Sequence, residues 1–401
     1  MKKRDLLIGV SVLVMIGTLL IYVPSNAETG RGVTNDTVKI GFVLDLTGPT
    51  ATVQVPMNEA VRNYFRHINN KGGIHGRKVK LYVEDDRYSV PIDIAIFKKL
   101  VYRDEVLGII FAISSPSAMA ILPQMEKKQV PGTIIGLTEK VVIPTRRYMF
   151  MPVASYKDHV KVLFDYLAKD VKAKNPRIAY ISPDNEYGKT GYAAAQMGAK
   201  HYGMKIVDRE YLSPGALDAI SQVLTMKKAK PDFVISHNYV GNSVALLRDA
   251  RKMNFSAPFL GTSGSCTDDL IKIAGEAARI YTGTHPFNSW YAEVPGIEKM
   301  REIHKKFSPG TEEKYRSQYH IFGWVSAMTF AEAMRRAGKD LNPDTMVEAL
   351  ESFKNFDTGG LCAPITYGPD KHKGGSSSMI FKADVKKSRL TSASSWREPS
   401  F

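Results

Sequence analysis

The chain has 401 residues, 44% of them hydrophobic and 24% charged, with a formal charge of +15. That length suits two domains rather than one, and the composition is that expected of a soluble globular protein, with no long low-complexity tract. The basic residues are scattered and form no nucleic-acid motif, so the charge points to anionic ligands or an anionic membrane surface.

The chain opens on Met1-Lys2-Lys3-Arg4-Asp5, an apolar run Leu6–Val23, and Pro24-Ser25-Asn26-Ala27. Ser25 and Ala27 give the small-x-small pattern of a signal peptidase site, so residues 1–27 are expected to be a signal peptide. The apolar run stands at the lower limit for crossing a bilayer, and an uncleaved N-terminal anchor is the alternative. The protein is expected outside the cytoplasm, periplasmic or extracellular.

From Val38 strands and helices alternate. Val38–Leu44 reads as a strand ended by Thr47-Gly48-Pro49, Pro56–Asn69 as an amphipathic helix and Lys78–Glu84 as a second strand. Asp93–Arg103 is the next helix. Gly108–Ile113 is a short apolar run of the length a buried parallel strand needs. It stops at Ser114-Ser115-Pro116, where Ser115 suits an N-cap and Pro116 the first helical position. The free N–H groups and two hydroxyls there make a seat for an anion such as a carboxylate.

Val130–Ile135 and Tyr148–Pro152 read as strands, and His159–Val171 as a helix. A second set follows: strands at Arg177–Ile181, Lys205–Tyr211, Asp232–Ser236 and Phe259–Leu260, with helices at Tyr192–Tyr202, Ala219–Lys228 and Asn242–Met253. Gly296–Lys306, Tyr319–Ala337 and Asn342–Phe353 read as helices. The segment from Lys386 is serine-rich and without a motif. Such alternation implies parallel sheets covered on both faces.

Several segments carry a resemblance in order and spacing: KIGFVLDLTGP from Lys39, INNKGGIHGRKVKLYVEDD from Ile68, DNEYGKTGY at Asp184–Tyr192, KAKPDFVISHNY at Lys228–Tyr239 and IAGEAARIYTG at Ile273–Gly283. Together with the serine pair, they resemble the periplasmic binding proteins of the leucine/isoleucine/valine-binding family over most of the chain after Val33. The resemblance implies an α/β fold of two Rossmann-like lobes with parallel sheets, joined by a three-segment hinge. Residues 34–152 with 285–360 would form the first lobe, 153–284 with 361–385 the second, and 386–401 a tail. It implies a monomeric solute-binding component of an ABC importer, with an ABC permease as partner, no nucleic acid, no cofactor and no metal. The alternative is a sensor module of a signalling system.

Carried over residue by residue, the family's ligand contacts fall on Ser114 and Ser115 (carboxylate), Gly136 and Thr138 (head group), and Tyr187 and Tyr239 (second-lobe aromatics). Two positions depart. Val53 stands where amino-acid binders often carry a tyrosine, and Ser263 where they carry the glutamate that pairs with the ligand ammonium. A buried ammonium without a carboxylate partner costs several kcal/mol, so the simpler expectation is a ligand without one, a carboxylate or an amide. Glu139, beside Thr138, is the acid best placed to substitute. His237 either faces the cleft or caps a solvated strand end. The family's first-lobe disulfide is absent, since Tyr88 and Ile113 occupy its positions. Cys266 and Cys362 are the two cysteines, and whether they pair stays open.

Enzymatic readings find no support in the motifs. Tyr187-Gly188-Lys189-Thr190 lacks the first glycine of a phosphate loop, because Pro183 stands there. Gly261–Ser265 lacks the spacing of a nucleophile elbow. The nine histidines show no zinc-binding spacing. A binding protein, not an enzyme, is expected.

Overall fold

The computed structural model describes residues 30–307, 309–311 and 315–401. The expected signal segment, residues 1–27, lies outside the described residues. Among those described, no helix is long and apolar enough to cross a membrane.

The first lobe runs β1 (Thr37–Leu44), α1 (Ala51–Asn70), β2 (Lys78–Asp85), α2 (Val90–Lys98), β3 (Gly108–Ala112), α3 (Ser115–Lys128), β4 (Gly132–Ile134) and β5 (Met149–Phe150). Its five strands pair in the order β2-β1-β3-β4-β5, all parallel. β3 is buried at every position, the apolar run of a strand covered on both faces. The second lobe continues with α4 (Tyr156–Asp165), β6 (Arg177–Ser182), α5 (Glu186–Tyr202), β7 (Lys205–Tyr211), α6 (Ile220–Ala229), β8 (Phe233–Ser236), α7 (Val240–Lys252), β9 (Phe259–Gly261), α8 (Asp268–Ala274) and β10 (Tyr281–His285). The chain then returns to the first lobe as α9 (Pro295–Phe307), α10 (Gln318–Ala337) and α11 (Pro343–Glu351), and ends in the second sheet as β11 (Met379–Asp384) and β12 (Arg389–Ser392). That sheet has the order β12-β11-β10-β9-β8-β6-β7, with β11 and β12 antiparallel.

Both sheets therefore share one rule. The first strand of each lobe, β1 or β6, sits between the second and the third, so chain direction reverses beside it. The loops leaving β1 and β3, and those leaving β6 and β8, diverge at these switch points and open crevices at the carboxyl ends of the strands. The two crevices face each other.

Several boundaries differ from the sequence reading. α1 begins at Ala51 and carries Pro56 inside it. α2 and α4 each pass into a π-helical turn, Lys99–Arg103 and Tyr166–Asp170. Leu361, Cys362, Ile365 and Tyr367 belong to the core built on the first sheet, because their side chains pack there, so the last crossing falls after them rather than near Leu361. Residues after Lys386 are not a loose tail: β12 pairs with β11, and the Phe401 ring stacks on His201 at 4.5 Å. Cys266 and Cys362 are buried free thiols in the cores of different lobes, which rules out a bond between them in this fold.

Candidate functional site

β3 ends where Ser114 takes up extended backbone. Ser114, not Ser115, is the N-cap of α3, its Oγ accepting the Ser117 N–H at 3.1 Å. Ser115 and Pro116 therefore occupy the first two helical positions, which shifts the expected register by one residue. The shift leaves Ser115 bare: its hydroxyl makes no hydrogen bond within the described protein, and it lines the cleft. Its backbone N–H lies in the first turn of a 14-residue helix, where the dipole favours negative charge.

The cleft has about 500 Å³ of empty space, counting the open solvent at its mouth. Ser114, Ser115, Ile135 and Gly136 line its first-lobe floor; Val53, Gln54 and Met57 of α1 line one side; Tyr187, Tyr239 and Gly264 close it from the second lobe. Three more tyrosines complete the enclosure: Tyr88, Tyr156 and Tyr319. No lining side chain carries a charge.

The tyrosines hold one another. Tyr187 stacks on Tyr239 at 5.1 Å and on His237 at 3.8 Å, with Tyr156 edge-on at 4.7 Å. Tyr88 hydrogen-bonds Tyr239 across the cleft, and Tyr319 of α10 donates to the Ser263 carbonyl at 3.0 Å. The lobes thus meet through phenol groups. Val53 packs into the second-lobe core although α1 belongs to the first lobe, another contact of the closed form.

Tyr88 was invisible as a cleft residue in the sequence. It and Arg87 both adopt left-handed backbone, φ 58° and 50°, a costly arrangement for two successive non-glycine residues. Asp85 and Asp86 hold it, accepting the Arg87 and Tyr88 N–H groups at 3.1 and 2.8 Å. The signal that could have found it is the missing family bridge, since Tyr88 and Ile113, the replacements, both line the cleft.

Three expected site residues lie off the cleft wall. His237 is fully buried under Tyr187 and not at a solvated strand end. Its Nε2–H donates to the Tyr187 carbonyl at 3.1 Å and its Nδ1 accepts from Thr262 at 2.7 Å, so it is neutral and spent. Burial lowers its pKa to about 3. Ser263 turns its hydroxyl to His159 Nδ1 at 3.1 Å, and Gly264 takes the lining place. A Cβ on Gly264 would lie 2.3 Å from the Tyr187 hydroxyl, so no acidic side chain fits there unless Tyr187 moves. Thr138 is fully buried behind Gly136, with its hydroxyl unpartnered among the described residues.

Glu139 is committed elsewhere. Its oxygens bind Lys373 at 2.7 Å and Lys157 at 3.3 Å. Burial alone would raise its pKa, but the two lysines outweigh it and keep the carboxylate ionised. Lys373 also reaches Asp158 at 2.9 Å, bracing the first lobe against the start of α4.

The acidic side chains Asp45, Asp85 and Asp86 lie close together. Asp45 spends both oxygens on Gly48, Thr50 and the Thr50 hydroxyl, and Asp85 both of its own on Leu46, Arg87 and Thr47. They are turn-forming carboxylates.

A two-lobed α/β chain with an enclosed cleft between facing switch points is the architecture of a ligand clamp, and comparison with known proteins agrees. A model of the periplasmic binding proteins matches residues 37–389. The chain belongs to the periplasmic binding protein family. Among its relatives is the Leu/Ile/Val-binding protein of Escherichia coli K12, 26% identical over 336 residues, which cover 82% of this chain and 86% of that one. The Leu/Ile/Val-binding protein homolog 7 of Brucella abortus is 23% identical over 337 residues, 81% of this chain and 83% of the relative. Two solved structures share the fold of this binding protein. A branched-chain amino acid ABC transporter protein from Thermus thermophilus with bound valine has a TM-score of 0.84 at 22% identity, covering 92% of this chain and 98% of that one. A fatty acid ABC transporter substrate-binding protein from Thermomonospora curvata has a TM-score of 0.83 at 22% identity, covering 94% and 96%.

Proposed function

We propose that this binding protein delivers a small non-zwitterionic carboxylate or amide to an ABC permease, as a monomer exported by its N-terminal segment. The observation that carries this reading is the charge-free lining of the cleft. A carboxylate finds the α3 N-terminus and the Ser114 and Ser115 hydroxyls. An ammonium finds no carboxylate: Glu139 is bound by two lysines, and positions 263 and 264 carry none. Five tyrosine rings with Val53, Met57 and Ile135 suit an apolar body, aromatic or aliphatic.

Binding follows from the two crevices. Ligand docks on the first lobe at Ser114 and Ser115, and its contacts with Tyr187 and Tyr239 exist only when the lobes close, so it shifts the open–closed equilibrium. The role is binding, with no bond made or broken. A melting-curve screen over aliphatic acids, aromatic acids, amides and amino acids tests the class. A true ligand at 100 times its dissociation constant raises stability by about 2.7 kcal/mol, expected for an acid or amide and not for leucine.

A further inference from the structure

The cleft does not end at its tyrosines. A second cavity, with about 520 Å³ of empty space counting its open mouth, lies between the start of α1 and the start of α7. It shares Thr50, Val53, Tyr239 and Gly264 with the wall of the cleft, so the two spaces adjoin across a ring of four residues. Ile273, also on its wall, is 44% exposed, which places the far end at the surface.

The ring is spare in side chains and spent in hydrogen bonds. Gly264 brings no side chain, and a Cβ there would lie 2.3 Å from the Tyr187 hydroxyl, so the position stays bare. Val53 brings a short one. The hydroxyls of the other two are engaged: Thr50 Oγ1 donates to Asp45 at 2.7 Å and accepts from the Gln54 amide at 2.9 Å, and Tyr239 pairs with Tyr88. Methylenes lose nothing on passing such a ring, whereas a polar group would leave its hydrogen bonds behind.

Beyond the ring the wall is apolar. Pro49, Val240, Val244 and Ile273 line it with Thr52, and among the described residues no charged side chain does. On the α7 side Gly241 leaves room, since a Cβ there would meet nothing within 4 Å.

We propose that this groove is a second subsite, which takes the unbranched tail of a ligand whose carboxylate sits at Ser114 and Ser115. The substrate class is then linear medium-chain alkanoates rather than compact branched acids. The inference rests on the reading of the seat as a carboxylate site and adds the direction of the rest of the molecule. One wall belongs to the first lobe and the other to the second, so a seated tail also favours the closed form.

The test is calorimetric titration with butanoate, hexanoate, octanoate and decanoate. Burying a methylene fully tightens binding about fourfold, and the groove covers each in part, so decanoate is expected to bind roughly 10- to 100-fold tighter than hexanoate. Gly241→Phe fills the groove from α7, and Ile273→Asp places a charge on its wall; both positions lie outside the cleft. Each variant is expected to remove the gain from hexanoate to decanoate while butanoate binds as before. An affinity that levels off beyond hexanoate, or a decanoate gain that survives both variants, overturns the proposal. The two readings fail separately. If the short acids bind and the chain-length gain is missing, the seat stands and the groove falls. If decan-1-ol binds as tightly as decanoate and loses affinity in Gly241→Phe, the groove stands and the carboxylate reading falls.

Discussion

The two lobes build their halves of the cleft from the same topological position and fill it with different chemistry. In the first lobe the switch point presents a helix N-terminus, two serine hydroxyls and a buried acidic pair behind them. In the second, the helix after β6 is capped by its own Asn185, which accepts the Gly188 N–H at 3.1 Å, and the space above it is given to Tyr187 on His237. One crevice offers hydrogen bonds and the other a stack of rings. The lesson is that strand order places a crevice, while the few residues after two strands decide whether it recognises charge or covers it.

Breaking the second-lobe half should have the largest effect. Tyr187 is buried between His237 and Tyr239, so Tyr187→Ala should cost about 3–5 kcal/mol of stability, as for other large aromatic truncations. It should also abolish ligand-induced closure. Chemical denaturation and a ligand melting shift read both effects.

The first-lobe half can be sharpened by separating its serines. Ser115→Ala should weaken carboxylate binding roughly 10- to 100-fold, the loss of a hydrogen bond of about 1.5–3 kcal/mol to a charged group, with stability nearly unchanged. Ser114→Ala should weaken binding too, but also cost about 1 kcal/mol of stability as a lost N-cap. Equal stability of the two variants would show that the capping role is misplaced.

Within about one pH unit of neutrality, the smallest effect is in pH. Burial lowers His237 and His285 of the second lobe to about 3. The folded state keeps them neutral, whereas an unfolded histidine takes a proton below about pH 6.5. Their contribution is thus present above about 6.5 and lost as pH falls towards 3, by up to about 1.4 kcal/mol per pH unit for each histidine. Asp93 runs the other way: its raised pKa contributes below the usual carboxylate range and is lost as pH rises through about 8. His237→Gln should flatten the acid limb of a melting profile and leave the alkaline limb as it was.

How far the sequence could be read follows the same division. Strand–helix alternation, the serine pair and Tyr187 and Tyr239 were all visible, because each sits directly after a strand and local pattern marks strand ends. Tyr156 and Tyr319 were not, since they reach the cleft from helices far away in the chain. Tyr88 stayed hidden because its place depends on two left-handed residues held by Asp85 and Asp86. His237 and Ser263 were located in sequence, but side-chain direction turned both away from the cleft, one to Thr262 and the other to His159. The paired end of the chain, β11 and β12, escaped notice because an antiparallel edge added to a parallel sheet leaves no repeat of the βα rhythm.

The central claim is that the first lobe seats an anionic end and the cleft has no partner for a cation. Leucine and 4-methylpentanoate differ only in the ammonium group, so their calorimetric affinities test it most directly. Burying an unpaired ammonium costs several kcal/mol, and the account predicts that the acid binds at least about 100-fold tighter. Leucine binding as tightly as the acid, or more so, would contradict it.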